Sequence, residues 1–165
     1  MKYACLILAV LMIFSMLLGC SGPSAGDVPT FYYLNAEPEY GSEGSVFGSE
    51  SRYNAGDNPL LDYLLALYFS GPVDNTLRSP FPNGSAVLLM WTDDASLHLT
   101  MNGAFAKLSG IDLTKACACI ALTVFSNSEV QTTIIHYTEA ATGISKNLEF
   151  SRNSLMLQDA VLPDT

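Results

Sequence analysis

Two histidines, His98 and His136, are the side chains of this sequence best suited to acid–base work near neutral pH. His98 falls on the polar side of an alternating segment, and His136 lies between Ile135 and Tyr137. Strands holding both could bring them together, so a two-histidine metal site is conceivable. Isolated strand histidines are far more often plain surface or core residues, and the expectation is no metal and no cofactor. Asp93 and Asp94 form a second titratable pair. Glycoside hydrolysis needs two carboxyls facing each other across a sugar, roughly 5–9 Å apart. Neighbours in a tight turn rarely face that way, and Asp is a favoured turn residue. No H-E-x-x-H, glycine-rich phosphate loop or S-x-x-K occurs. The chain reads as a non-enzyme with no catalytic residue.

Cysteine chemistry points elsewhere. Lys2 is the only charge before Asp27, and an apolar stretch containing Leu6, Ile7, Leu8, Val10, Leu11, Ile13, Phe14 and Leu17 follows it. A short positive end before a short apolar core reads as a secretory signal. About twenty apolar residues are needed to cross a bilayer, and this run breaks sooner, at Gly19-Cys20-Ser21-Gly22-Pro23. Its end, Leu17-Leu18-Gly19-Cys20, resembles the bacterial lipobox. That resemblance implies diacylglycerol on the Cys20 thiol and cleavage just before it; the two acyl chains would anchor stably where one would be marginal. Residues 1–19 are then a lipoprotein signal peptide and 20–29 a flexible tether of Ser, Gly, Pro and Ala. The expected location is the cell membrane, lipid-anchored, on its extracytoplasmic face. Cys5 reads as a chance cysteine in the leader. Cys117 and Cys119, two apart on a helix, cannot bridge each other and read as small buried hydrophobes.

Charge narrows the partners. Seven Lys plus Arg face sixteen Asp plus Glu, a formal net charge of −9, with no basic cluster to hold a phosphate backbone. Nucleic acid is excluded as a partner. With 49% apolar and only 14% charged residues, a disordered acidic tail is excluded too. An acidic surface repels anionic wall polymers and lipid head groups, so the domain is expected to project from the membrane.

The elements that must position these residues follow from pattern. Phe31-Tyr32-Tyr33-Leu34 reads as a strand, 35–48 as an acidic, Gly-rich loop without calcium-loop spacing, and Ser51-Arg52-Tyr53 as a short edge strand. Asn58 and Pro59 open a helix carrying Leu60, Leu61, Leu64, Leu65, Tyr68 and Phe69, stopped by Gly71-Pro72. A loop over 75–84 precedes the apolar run Ala86 to Trp91, read as a strand covered on both faces. After a turn at 92–95, Leu97, Leu99 and Met101 alternate with Ser96, His98 and Thr100, completing a hairpin. Leu113, Cys117, Ile120 and Val124 mark a second helix over 112–125, begun by Asp112. Strands over 129–138 and 145–150 follow, and Leu155, Met156 and Leu157 suggest a last pairing. Residues 30–160 read as one domain.

The order of these elements, with Leu64-Leu65-Ala66-Leu67-Tyr68-Phe69-Ser70-Gly71-Pro72, Pro82-Asn83-Gly84-Ser85, Leu97-His98-Leu99-Thr100 before Phe105, and Ala121-Leu122-Thr123-Val124-Phe125 before Val130, resembles the GerMN domain of sporulation and spore-germination lipoproteins. The similarity spans roughly Tyr32 to Tyr137. It implies an α+β, two-layer sandwich with a mixed β-sheet and two helices on one face, similar to ring-building modules. It also implies a non-catalytic scaffold or assembly role in the envelope, in spore formation or germination. The implied partners are envelope or sporulation proteins and the membrane through lipid on Cys20, with a homo-oligomer as a further option. Docking is expected at an unpaired edge near Arg52 or over 145–150. The rival reading is a module binding wall glycan or peptide through Tyr32, Tyr33, Tyr40 and Tyr53.

Overall fold

A computed structural model of the chain describes residues 28–38, 45–52 and 60–155. The lipobox and tether, Tyr40, Tyr53, the cap at Asn58-Pro59, and Met156 and Leu157 lie outside these residues. The described chain is an α+β sandwich, the fold class that the resemblance implied. Its order is β1 (Thr30–Asn35), β2 (Phe47–Ser51), α1 (Leu61–Phe69), β3 (Leu77–Arg78), β4 (Val87–Asp93), β5 (Ser96–Met101), a 3-10 turn (Phe105–Lys107), α2 (Gly110–Asn127), β6 (Thr132–Thr138) and β7 (Ser145–Ser151).

The strands divide between two sheets, β2-β1-β3 and β4-β5-β6-β7, where the sequence suggested one mixed sheet. The reason lies along β1. Its β3-side edge pairs with strand only at Leu34 and Asn35. Beyond that, α2 side chains take the hydrogen bonds another strand would have made. The Tyr32 N–H donates to the Thr123 hydroxyl (2.9 Å) and the Thr30 N–H to the Asn127 side-chain oxygen (3.1 Å). The Asn127 amide donates back to the Thr30 carbonyl (2.6 Å). A helix has replaced a strand there.

Helix α2 therefore touches both sheets, and Ala116 through Ala121 are all buried in succession. A run of six without an exposed residue means the helix is covered on more than one side. Cys117 and Cys119, which point apart on the helix, are thus both fully enclosed and both free thiols. Helix α1 buries Leu64, Leu65 and Tyr68 and stops where Gly71 takes φ 95°, a left-handed conformation that glycine adopts without steric cost. Tyr68 is the centre of an aromatic cluster, its ring 5.0 Å from Tyr33, 5.2 Å from Phe81 and 5.9 Å from Phe31.

Three local readings change. The edge strand expected at 51–53 begins earlier, at Phe47, because Phe47 to Ser51 pair in register with Leu34 to Thr30. The loop over 75–84 contains the two-residue β3. The apolar run before the hairpin is not covered on both faces. β4 is a sheet edge, with Leu88 69%, Leu89 58% and Trp91 39% exposed.

Candidate functional site

Register in the four-stranded sheet decides which side chains share a face. Leu97, Leu99 and Met101 of β5 point into the core, and so do Thr133 and Ile135 of β6. Strand alternation then puts Ser96, His98, Thr100, Ile134 and His136 on the opposite, open face. Trp91 pairs with His98 across the β4–β5 hairpin, and Asn147 of β7 pairs with His136. Because β5 and β6 run parallel with Thr100 opposite His136, the two histidines sit diagonally on neighbouring strands.

The open face therefore gathers three aromatic rings from three strands. His98 Nδ1 and His136 Nε2 are 3.0 Å apart, a hydrogen bond in which one ring donates and the other accepts. The imidazole centroids are 5.3 Å apart with planes only 11° from parallel, so the rings meet edge to edge. Trp91 lies near-parallel to both, its centroid 4.7 Å from His98 and 5.4 Å from His136. Burial under this packing lowers the His136 pKa from its usual range, and the charge on His98 adds to the effect. A hollow of about 270 Å³ beside His136 is lined by Thr100, Asn147, Thr138 and Ser145, among others. No helix among the described residues is long and apolar enough to cross a membrane.

A second feature lies along the outer edge of β4. An open groove of about 540 Å³ separates that strand from α1, walled by Leu65, Phe69, Val87, Leu88 and Met90. Ser85, at one end of it, is buried, and its hydroxyl has no hydrogen-bond partner. An unsatisfied buried hydroxyl costs roughly 1–3 kcal/mol.

No family model, no curated protein and no solved structure matches this chain.

The other candidates separate. Asp93 ends β4 and Asp94 takes φ 49° in the exposed two-residue hairpin turn. Both carboxylates belong to that turn, which suits Asp. Tyr33 is fully buried, its hydroxyl donating to the Tyr68 carbonyl (3.0 Å), and is therefore unable to stack on a wall sugar. Arg52, near one expected docking edge, is engaged internally with Glu50, Tyr33 and the end of α1. The other expected edge, β7, carries Lys146 and Glu149. Trp91 is the member of the ring cluster that the sequence reading missed. The two-residue turn at Asp94-Ala95 places it opposite His98, whereas the sequence reading gave the turn as 92–95.

Proposed function

We propose that this chain is an extracytoplasmic lipoprotein, anchored through lipid on Cys20, that acts as a non-catalytic scaffold or assembly component of the cell envelope. The resemblance to the GerMN domain supports a role in spore formation or germination. The observation that carries the contact role is the outer edge of β4. Natural sheets blunt their edges with charges or prolines. β7 does so with Lys146 and Glu149, whereas Val87 to Thr92 carry no charge and expose Leu88 and Leu89. Beside this bare edge runs the apolar groove against α1, with an unpartnered Ser85 hydroxyl at one end. An extended segment of a partner protein adding to β4 would satisfy the strand's free N–H and C=O groups and fill the groove with alternate side chains.

Two measurements test this. Mass spectrometry of the membrane fraction should find diacylglycerol on Cys20, and Cys20→Ala should release the protein from membranes; a bare Cys20 on an uncleaved leader defeats the anchoring. A photo-crosslinking residue at position 88, in intact cells, should trap a discrete adduct. Leu88→Lys should abolish the function in cells while changing stability by less than about 0.5 kcal/mol, as surface substitutions do. Absence of any adduct, together with full complementation by Leu88→Lys, removes β4 as the contact.

A further inference from the structure

We infer that His98 and His136 form a solvent-open binding site for a divalent late first-row transition metal ion, with Cu(II) held most tightly. The site is separate from the β4 contact edge and does not depend on the scaffold reading. Its basis is the approach of two imidazole nitrogens, His98 Nδ1 and His136 Nε2, to 3.0 Å on the open face of the sheet. Imidazole nitrogens bind such metals at about 2.0–2.1 Å, so two of them in adjacent coordination positions stand roughly 2.9–3.4 Å apart. The pair already has that spacing. Its backbone is fixed by the register of β5 with β6, both paired on their other sides as well, so the spacing is built into the sheet.

What must change is small. The rings now point at each other edge to edge, and each has to swing outward so that both lone pairs converge on one point above the sheet. Both rings are only half-buried, which leaves them free to do so. In the neutral pair, one ring donates the proton that lies between the two nitrogens. On metal binding that ring changes tautomer, its proton passing through solvent to its far nitrogen, so each imidazole keeps one proton and none is released. Among the described residues no cluster of three or more His, Cys, Asp or Glu side chains stands ready as a metal cage. The remaining positions therefore go to water, for which the hollow lined by Thr100 and Asn147 beside His136 has room. Neutral nitrogen ligands with open positions suit copper, nickel and zinc, and Cu(II) leads the affinity order.

The chain carries its own reporter. Trp91 is the only tryptophan in the sequence and lies against both rings. Full-length protein in mild detergent, titrated with Cu(II) at neutral pH in a non-coordinating buffer, should lose Trp91 fluorescence saturably at one equivalent. Its Cu(II) electron paramagnetic resonance spectrum should show two equatorial nitrogens. Zn(II), which does not quench, should compete for the site. His98→Gln and His136→Gln should each weaken binding at least tenfold, with the fold checked by far-UV circular dichroism. Trp91→Phe should leave the resonance spectrum in place while abolishing the optical signal. Three results each overturn the proposal: no saturable binding in the sub-millimolar range, an unchanged titration in a folded His98→Gln/His136→Gln double variant, or a spectrum without nitrogen coupling.

Discussion

Between pH 9 and pH 11 the folded chain should lose on the order of 5 kcal/mol of stability, from its two buried thiols alone, at about 1.4 kcal/mol per pH unit for each. Cys117 and Cys119 are fully enclosed, and burial pushes the Cys117 thiol from 9.0 up to about 12. Burial raises the Cys119 thiol further, and a charge on Cys117 would raise it more. The phenols of Tyr68 and Tyr33 are also raised, in both cases mainly by burial, with Arg52 offsetting part of the effect at Tyr33. The sign follows from who holds the proton. Above pH 9 the unfolded thiols ionise while the native ones stay protonated, so the unfolded state binds fewer protons and gains stability. The contribution is complete below pH 9 and is lost as pH climbs toward the native values. Since a domain is usually stable by only about 5–15 kcal/mol, alkaline unfolding near pH 11 is expected. Urea melts at successive pH values, followed by far-UV circular dichroism, will show it. A Cys117→Ala/Cys119→Ala variant should be less stable at pH 7 but have a much shallower slope above pH 9. A wild-type stability that stays level from pH 8 to pH 10.5 contradicts the burial of these groups.

Arg52→Ala should cost about 3 kcal/mol, well above the effect of an ordinary surface substitution. The guanidinium is a junction between β2, β1 and the end of α1. It donates to Glu50 through Nε (2.8 Å), to the Tyr33 hydroxyl (2.9 Å), to the Leu67 carbonyl (3.1 Å) and to the Gly71 carbonyl, and its Nη2 makes an ion-pair contact of 2.6 Å with the same Glu50 carboxylate. It also lies 4.9 Å from the centre of the Phe31 ring. Glu50 in turn accepts from the Val73 N–H (2.9 Å) and the Asp74 N–H (2.8 Å). The two side chains are only 14% and 9% exposed. Truncating Arg52 would leave the part-buried Glu50 carboxylate without its cation and take a donor from the Gly71 carbonyl and the Tyr33 hydroxyl, which is why the expected loss exceeds that of a solvated ion pair. Arg52→Lys should recover only part of it, because an ammonium cannot reproduce the planar fork. Urea denaturation of the single variants and of Arg52→Ala/Glu50→Gln gives the coupling. A loss below about 0.5 kcal/mol for Arg52→Ala would show that the junction contributes little.

The elements readable in the sequence were those whose pattern is local. The stop at Gly71-Pro72, the alternation from Ser96 to Met101 and the steps from Leu113 to Val124 each became the expected element. β2 was placed late because Gly48-Ser49-Glu50-Ser51 has little strand preference of its own. It is held there by β1 and by the Glu50–Arg52 junction, and a Cβ at Gly48 would press on the ends of the Asn35 and Leu77 side chains, which would have to shift. The division into two sheets depends on Thr123 and Asn127 reaching back to β1, contacts 91 and 97 residues apart in the chain. No local pattern encodes that. The exposure of β4 was hidden for a related reason: a continuous apolar run fits a doubly covered strand and a bare edge equally well. The nearness of His98 and His136 could be imagined from sequence, but the 3.0 Å approach required the parallel register of β5 on β6.

The pinning of β1 by Thr123 and Asn127 also sets an order of events during synthesis. β1 is among the first described elements to be made, yet its Thr30 and Tyr32 N–H groups have no partner until the last turns of α2 have been translated. Until then its Thr30 and Tyr32 amides must stay hydrated, and Phe31 and Tyr33 have Tyr68 of α1 but not the α2 side of the core against them. A chain truncated before Asn127 would therefore carry an incomplete first sheet with exposed aromatics, the kind of surface that chaperones bind and proteases cut. The domain closes its beginning only when its end is nearly finished.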